Sequence, residues 1–250
     1  MTSDALLLDL GNSRLKWALL REGALEAGSA IPHGDEGLGD LGPLYAAAAG
    51  LRRAFLSSTA GSLSAPLRLA IREQLGIDLL QCRSPKQALG IRSAYDAPET
   101  LGTDRFLAMA GARARCPGQP LLIADAGTAM TIDLVDEDGQ HIGGLIVPGP
   151  VLMREALHRG TAGVRTGAQA RLHEWARNTD DAVWSGACLA GVALIERAVH
   201  HAQIGIGAEV ALLCSGGSMP AMLDEIRVAH RWAPNLVLEG LAVWAATTPG

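Results

Sequence analysis

The apolar positions of this chain fall into short runs separated by turn residues, and two of those stretches are built alike. Between Leu121 and Pro150, a first run, Leu121 to Ala124, reads as a buried strand that breaks at Asp125-Ala126-Gly127-Thr128. A second run, Met130 to Val135, turns at Asp138-Gly139 and gives way to a third, Ile142 to Val147. The start of the chain repeats the device over residues 5–23: apolar strand, Asp9-Leu10-Gly11-Asn12-Ser13, second strand, turn at Glu22-Gly23. Laid over one another, Asp9 falls on Asp125 and Gly11 on Gly127, with Asn12 and Ser13 beside Thr128 and Ala129. A single Asp-x-Gly is a common hairpin turn. Two in equivalent contexts point to a duplicated domain whose hairpins face a shared cleft.

The remaining runs fill in an α/β chain. Strands are expected over Ala54–Ser58, Asp78–Cys82 and Glu209–Cys214, and helices over Leu44–Ala49, Ala65–Leu75, Phe106–Arg115, Val151–Arg159 and Leu236–Ala246. A long helix opens at Asn178-Thr179-Asp180-Asp181, with Thr179 as N-cap, and runs to about His201. Ser215-Gly216-Gly217-Ser218 stands between a strand and a helix expected from Met219; such a turn either admits a flat base or sugar or is simply tight. Gly34–Pro43 reads as a surface loop, and Gly160–Arg177 as a polar lid or interface loop. Ser84–Leu101 is a long connection, and connections of that length often serve function.

Composition narrows the class. With 48% hydrophobic and 19% charged residues over 250 positions, the chain is long and apolar enough to bury a large core. A net charge of −5 and the lack of any Lys/Arg-rich run argue against nucleic acid as partner. Leu6–Leu8 is interrupted by Asp9 and has no basic stretch before it, so neither a signal peptide nor a membrane span is expected. Four scattered cysteines form no Cys-x-x-Cys pair, which suits reduced thiols in a cytoplasmic protein and disfavours zinc. Of 21 basic residues only Lys16 and Lys86 are lysines. A lysine that escapes such a bias four residues past Asn12 suggests a compact ammonium wanted for phosphate.

The candidate chemistry follows. A glycine in each turn permits φ > 0 and lets a ligand approach the backbone; a carboxylate leaving a strand end can hold a cation. Ser57, Ser58 and Thr59 either line the same cleft or cap the next helix. Asp104 and Arg105 stand in the first turn of a helix, where the dipole favours the acid and disfavours the base. A cation at that end suggests a partner, such as an anionic ligand.

Together these residues resemble the type III pantothenate kinases, of the superfamily that joins acetate and sugar kinases to actin. The matching pieces are Asp9-Leu10-Gly11-Asn12-Ser13-Arg14-Leu15-Lys16, Tyr95 ahead of Leu101-Gly102-Thr103-Asp104-Arg105, and Asp125-Ala126-Gly127-Thr128-Ala129 with Thr131 and Asp133. Gly143-Gly144 before Pro148-Gly149, Asn178-Thr179 before Ser185-Gly186, and Ser215-Gly216-Gly217 follow in family order, and Ser13 stands where threonine is commoner. The resemblance implies two duplicated actin/ribonuclease H-like domains, 1–102 and 103–250, each a mixed sheet flanked by helices, with the active site in the cleft between them. It implies ATP-dependent phosphorylation of pantothenate to 4′-phosphopantothenate, the first step of coenzyme A synthesis, in a cytoplasmic homodimer. By the same pattern Asp9, Leu10, Gly11, Asn12, Ser13, Arg14, Leu15, Lys16 and Thr128 hold ATP. Tyr95, Gly102, Thr103, Asp104, Arg105 and Thr179 contact pantothenate, with Asp104 as base. Asp125 binds a monovalent cation, K+ or NH4+, used alongside Mg2+. Two rivals stay open on the residues alone: another small-molecule phosphotransferase of the superfamily, or a non-catalytic nucleotide-binding module.

Overall fold

The structure, a computed structural model, describes residues 4–34, 37–161 and 170–248. It divides into two compact units, Met1–Pro117 with Asn235–Gly250, and Gly118–Pro234.

The first unit grows from a meander, β1 (Ala5–Leu10), β2 (Arg14–Arg21) and β3 (Ala24–Ala27), each antiparallel to the one before. Every residue of β1 is buried, as a run apolar but for Asp9 in a central strand requires. A short strand β4 (Ile31–Gly34) lies beside the start of β2, and the stretch expected as a loop, Gly34–Pro43, contains a second short strand, β5 (Gly37–Leu38), beside β4. Then come α1 (Gly42–Ala48), β6 (Ala54–Ser58), α2 (Gly61–Leu75) and β7 (Leu79–Gln81). β6 lies parallel to β1 and β7 parallel to β6, giving the order β5-β4-β2-β1-β6-β7 with β3 on β2. Leu6, Leu8 and Leu10 of β1, with Leu15, Trp17 and Leu19 of β2, form a core against Leu44 and Ala48 of α1 and Leu67 and Ile71 of α2. Period-two alternation therefore turns Asp9 and Lys16 to the opposite face.

The long connection carries a small ribbon, β8 (Gln87–Ala88) and β9 (Ile91–Arg92), before α3 (Thr103–Arg115). α3 is buried continuously from Arg105 to Ala112.

The second unit repeats the opening: β10 (Leu121–Ala126), β11 (Ala129–Val135) and β12 (His141–Pro148) form an antiparallel meander. Next are α4 (Pro150–Gly160), α5 (Thr179–Ile206), β13 (Ala211–Ser215) and β14 (His230–Trp232), in the sheet order β12-β11-β10-β13-β14. Residues 162–169 of the expected lid or interface loop lie outside the described residues. The helix expected from Met219 is replaced by two 3-10 turns, Met219–Ala221 and Leu223–Glu225. Pro220 and the short apolar stretch around it bury Met219 and Met222 in the core without a full helix. α5 is long and apolar enough by composition to cross a membrane. Here Cys188, Val192, Ile195, Val199 and Ala202 are packed against Leu122, Ala124 and Ile132 of the sheet, the disposition of a core helix.

The closing helix α6 (Leu236–Thr247) returns to the first unit and packs on α3, where Gly111 and Gly240 leave room for the two backbones to approach. Arg115 Nη2 donates to Glu239 Oε1 at 2.6 Å, and the rings of Phe55 and Trp244 meet edge to face at 5.3 Å. Compactness thus draws the boundary elsewhere than residue 102. α3 is apolar along most of its length and finds its cover in α6, so both belong with the first sheet.

Candidate active site

In the first unit Asp9 is the penultimate residue of β1 and one of its buried polar groups. It is paired across the ladder with Lys16 of β2 and, on its other side, with Ser57 of β6. Registered neighbours share a face, so a row Lys16–Asp9–Ser57 crosses the sheet on the side away from α1 and α2. Ser57 is completely buried and its hydroxyl meets no protein partner, so it does not cap α2; nor do Ser58 and Thr59, since α2 starts after Ala60 without a side-chain cap. The turn is closed by the Gly11 N–H donating to the Arg14 carbonyl at 3.1 Å, with Asn12, Ser13 and Arg14 exposed and Lys16 half-buried. The side chains of Leu10 and Leu15 belong to the core, so what they offer a ligand is backbone.

The second unit repeats this row. Asp125, more open than Asp9, pairs with Thr131 of β11 and with Ser215 of β13. Its turn is tighter by one residue: Gly127 N–H donates to the Ala129 carbonyl at 2.9 Å and Thr128 stands exposed at the tip. Neither Gly11 nor Gly127 has φ > 0, so the reason expected for glycine there does not hold and only close approach remains. Gly149 is the glycine this site demands. Its N–H donates to the Thr128 carbonyl at 2.8 Å, and any side chain on it would run into the Gly127 carbonyl oxygen. The Ser215-Gly216-Gly217-Ser218 turn folds back on β10, Ser218 N–H donating to the Ala126 carbonyl at 2.8 Å, which favours the tight-turn reading.

The segment from Tyr95 to Arg105 comes together within the first unit. Gly102 precedes α3 in extended backbone, and Asp104 Oδ1 accepts the Arg105 N–H at 2.8 Å. A side-chain carbon at Gly102 would lie 2.6 Å from that same oxygen, so glycine there makes space for the carboxylate. Arg105 is almost wholly buried; its Nη1 donates to the Tyr95 hydroxyl at 2.9 Å and its guanidinium lies 5.6 Å from the Tyr95 ring centre. The cation at the unfavourable helix end thus has an aromatic partner. Tyr95 is fixed in turn by its N–H to Ser93 Oγ at 3.1 Å and by Lys86 Nζ to its carbonyl at 3.0 Å. Thr103 opens the helix, half-buried.

Thr179 is not the N-cap of α5. Asn178 is: its Oδ1 accepts the Asp181 N–H at 2.9 Å, while its Nδ2 donates to Asp181 Oδ2 at 2.7 Å. The amide side chain closes this box with an acid three residues on, which a hydroxyl at 179 cannot do. The Arg171 backbone N–H, then Asn178 and His173, hold the Asp181 carboxyl below its usual range. Thr179 instead lines a cavity of about 930 Å³ with Pro148, Met153, Arg177, Asn178 and Val183.

Two further features escape sequence reasoning. His141 and Asp133 form a buried pair, Nε2 to Oδ1 at 3.0 Å, across the bulged β11–β12 ladder, and His33 reaches back to the first turn. Nothing in the local spacing marks either histidine. The cysteines are free and buried; burial pushes the Cys82 and Cys214 thiols up to about 12 and Cys188 to about 11, so none of these three is a ready thiolate. Among the described residues no group of three or more His, Cys, Asp or Glu side chains is placed to hold a metal.

The chain is 41% identical over 240 residues, 96% of each chain, to a type III pantothenate kinase of Xanthomonas euvesicatoria pv. vesicatoria strain 85-10. Among solved structures it is similar to a conserved putative Baf family transcriptional activator from Campylobacter jejuni, at TM-score 0.57 and 18% identity, covering 94% of both chains. It is also similar to an archaeal actin homologue at TM-score 0.51 and 11% identity, covering 98% of this chain and 99% of the other, which shows an actin-like fold. The model of the type III pantothenate kinases matches residues 5–201, and with that coverage and identity the chain belongs to this family.

Proposed function

We propose that this protein transfers the γ-phosphoryl group of ATP to the hydroxyl of pantothenate, giving 4′-phosphopantothenate and ADP. The observation that carries the reading is the meeting of Tyr95 with Arg105 beside Asp104, on the segment that separates this family from other phosphotransferases of the fold. The hydroxyl oxygen attacks phosphorus, the bond to the bridging oxygen breaks, and the hydroxyl proton passes to Asp104. Such transition states are loose, so the protein mainly positions groups and offsets charge. Asp104 orients the alcohol, and a helix N-terminus favours its anionic form. Arg105, held by Tyr95, suits the pantothenate carboxylate through its planar fork of donors. Thr179 and its cavity take part of the same substrate.

The two hairpins hold the nucleotide, residues 9–16 and Thr128 at its phosphates. A carboxylate faces a polyanion across a cation; beside the ammonium of Lys16, Asp9 takes Mg2+ in that role. Magnesium is held by one or two carboxylates together with substrate phosphates, so a site without a cage of protein ligands fits it. When bound, Mg2+ offsets the charge of the triphosphate. Asp125, flanked in register by the hydroxyl residues Thr131 and Ser215, offers a hard monovalent cation such as K+ or NH4+ an oxygen-only environment.

The enzyme works in the cytoplasm as a homodimer. Supporting the dimer, edge strand β12 exposes Ile142, Leu145 and Ile146, with Val151 and Leu157 of α4 and Trp175 also exposed. Light scattering should give twice the chain mass, and Ile146→Glu should return it to one; a parent that stays monomeric rules the dimer out.

The deciding assay is pantothenate-dependent ADP release with and without potassium. Asp104→Asn should lower kcat by roughly 10²- to 10⁴-fold while ATP still binds. A parent protein that releases no ADP with pantothenate overturns the reading.

A further inference from the structure

The turn carrying Asn12 and Ser13 is braced from outside its own hairpin. β4 lays Pro32 opposite Arg14 and Ile31 opposite Leu15, and Ile31 is buried in the core. One residue further on, His33 bonds the turn twice. Its backbone N–H donates to the Ser13 carbonyl at 3.2 Å, and its ring Nε2 lies 2.8 Å from the Gly11 carbonyl oxygen. A carbonyl only accepts, so Nε2 carries the proton; the imidazolium and the Nε2–H tautomer both supply it. On its other side His33 is paired with Leu38 of β5, and its ring is half-buried.

The consequence follows from peptide geometry. In a trans peptide the carbonyl of one residue and the N–H of the next point opposite ways, and the described residues contain no cis bond. Turning the Gly11 and Ser13 carbonyls toward His33 therefore turns the N–H groups of Asn12 and Arg14 away from it. Two backbone N–H groups presented together form a cradle for an anion. Without the brace, an exposed two-residue tip would have to be ordered at the moment of binding, and affinity would fall accordingly.

We propose that His33 is a positioning residue for the nucleotide. It fixes the turn so that the Asn12 and Arg14 amides face the triphosphate. This rests on the reading of residues 9–16 as the phosphate-binding turn. The test is calorimetric titration of a non-hydrolysable ATP analogue with Mg2+ into parent, His33→Ala and His33→Gln proteins, alongside steady-state kinetics. His33→Ala should weaken analogue binding and raise the ATP KM about ten-fold, the scale of one lost hydrogen bond. The pantothenate KM and kcat should stay within about two-fold, because the brace does not touch the Tyr95–Arg105 segment. His33→Gln keeps an N–H donor at similar reach and should recover most of the affinity. The proposal is overturned by unchanged ATP affinity in His33→Ala, by equal rises in both KM values, or by a glutamine variant no better than alanine. A parent that binds the analogue but does not turn over pantothenate defeats the kinase reading while leaving the titration to decide His33.

Discussion

The two aspartate-bearing hairpins have the same frame and different fittings. Each is the first pair of a three-stranded meander, and each aspartate has a serine in register on the parallel strand beyond, Ser57 or Ser215. The difference lies on the hairpin side. Asp9 pairs with Lys16, seven residues on, whereas Asp125 pairs with Thr131, six residues on. One extra residue in the first loop puts an ammonium, where the second unit has a hydroxyl, beside the carboxylate. The braces differ too: a histidine side chain and amide hold the first turn, and the Gly149 backbone holds the second. The duplicated sheet fixes where a carboxylate stands, and the residues opposite it decide which charge it serves. The first row suits a phosphate–magnesium pair; the second, all oxygen, suits a bare cation.

The most severe test exchanges the carboxylates one at a time. Asp9→Asn should lower kcat/KM by about 10²-fold, the loss expected when a group that organises transition-state charge is removed, and should raise the Mg2+ needed for half-activation. Asp125→Asn should instead raise the K+ requirement and leave the Mg2+ dependence near that of the parent. Metal titrations of both variants check this. If each variant shifts both cations equally, the two hairpins do not divide the work and the contrast fails.

Much of this was legible in the chain itself. The repeat of Asp-x-Gly between apolar runs is a short-range signal, and both hairpins lie where it places them; the strand at Ala54–Ser58 and the start of α3 around Asp104 lie where their own apolar runs place them. What escaped depends on long-range packing. β4 and β5 are too short to show a period, so nothing announced that His33 would return to Gly11. The pairing of α3 with α6 joins residues more than a hundred positions apart, such as Arg115 and Glu239. Asn178 and Thr179 both carry capping oxygens, and the choice fell to the one whose amide also bonds Asp181. Glycine at position 11 invited an argument from φ that the backbone does not need.

The smaller test separates space from conformation at the two braced turns. Gly149 has φ −70, ordinary for any residue, so only its lack of a side chain matters. In Gly149→Ala the new carbon meets the Gly127 carbonyl, backbone that can yield only by moving the turn. That should cost about 1–3 kcal/mol of stability, seen as a Tm lower by roughly 3–10 °C in a thermal melt. Gly11→Ala should be nearly silent in the same melt. Its new carbon meets only the Arg14 carbonyl oxygen at 3.5 Å, ordinary contact, so the change should stay within about 0.5 kcal/mol. A weakened ATP affinity in Gly11→Ala at unchanged Tm would then mean that the ligand, not the fold, asks for glycine there. A large drop in Tm would mean that the first turn, like the second, is packed from outside as tightly as its backbone allows.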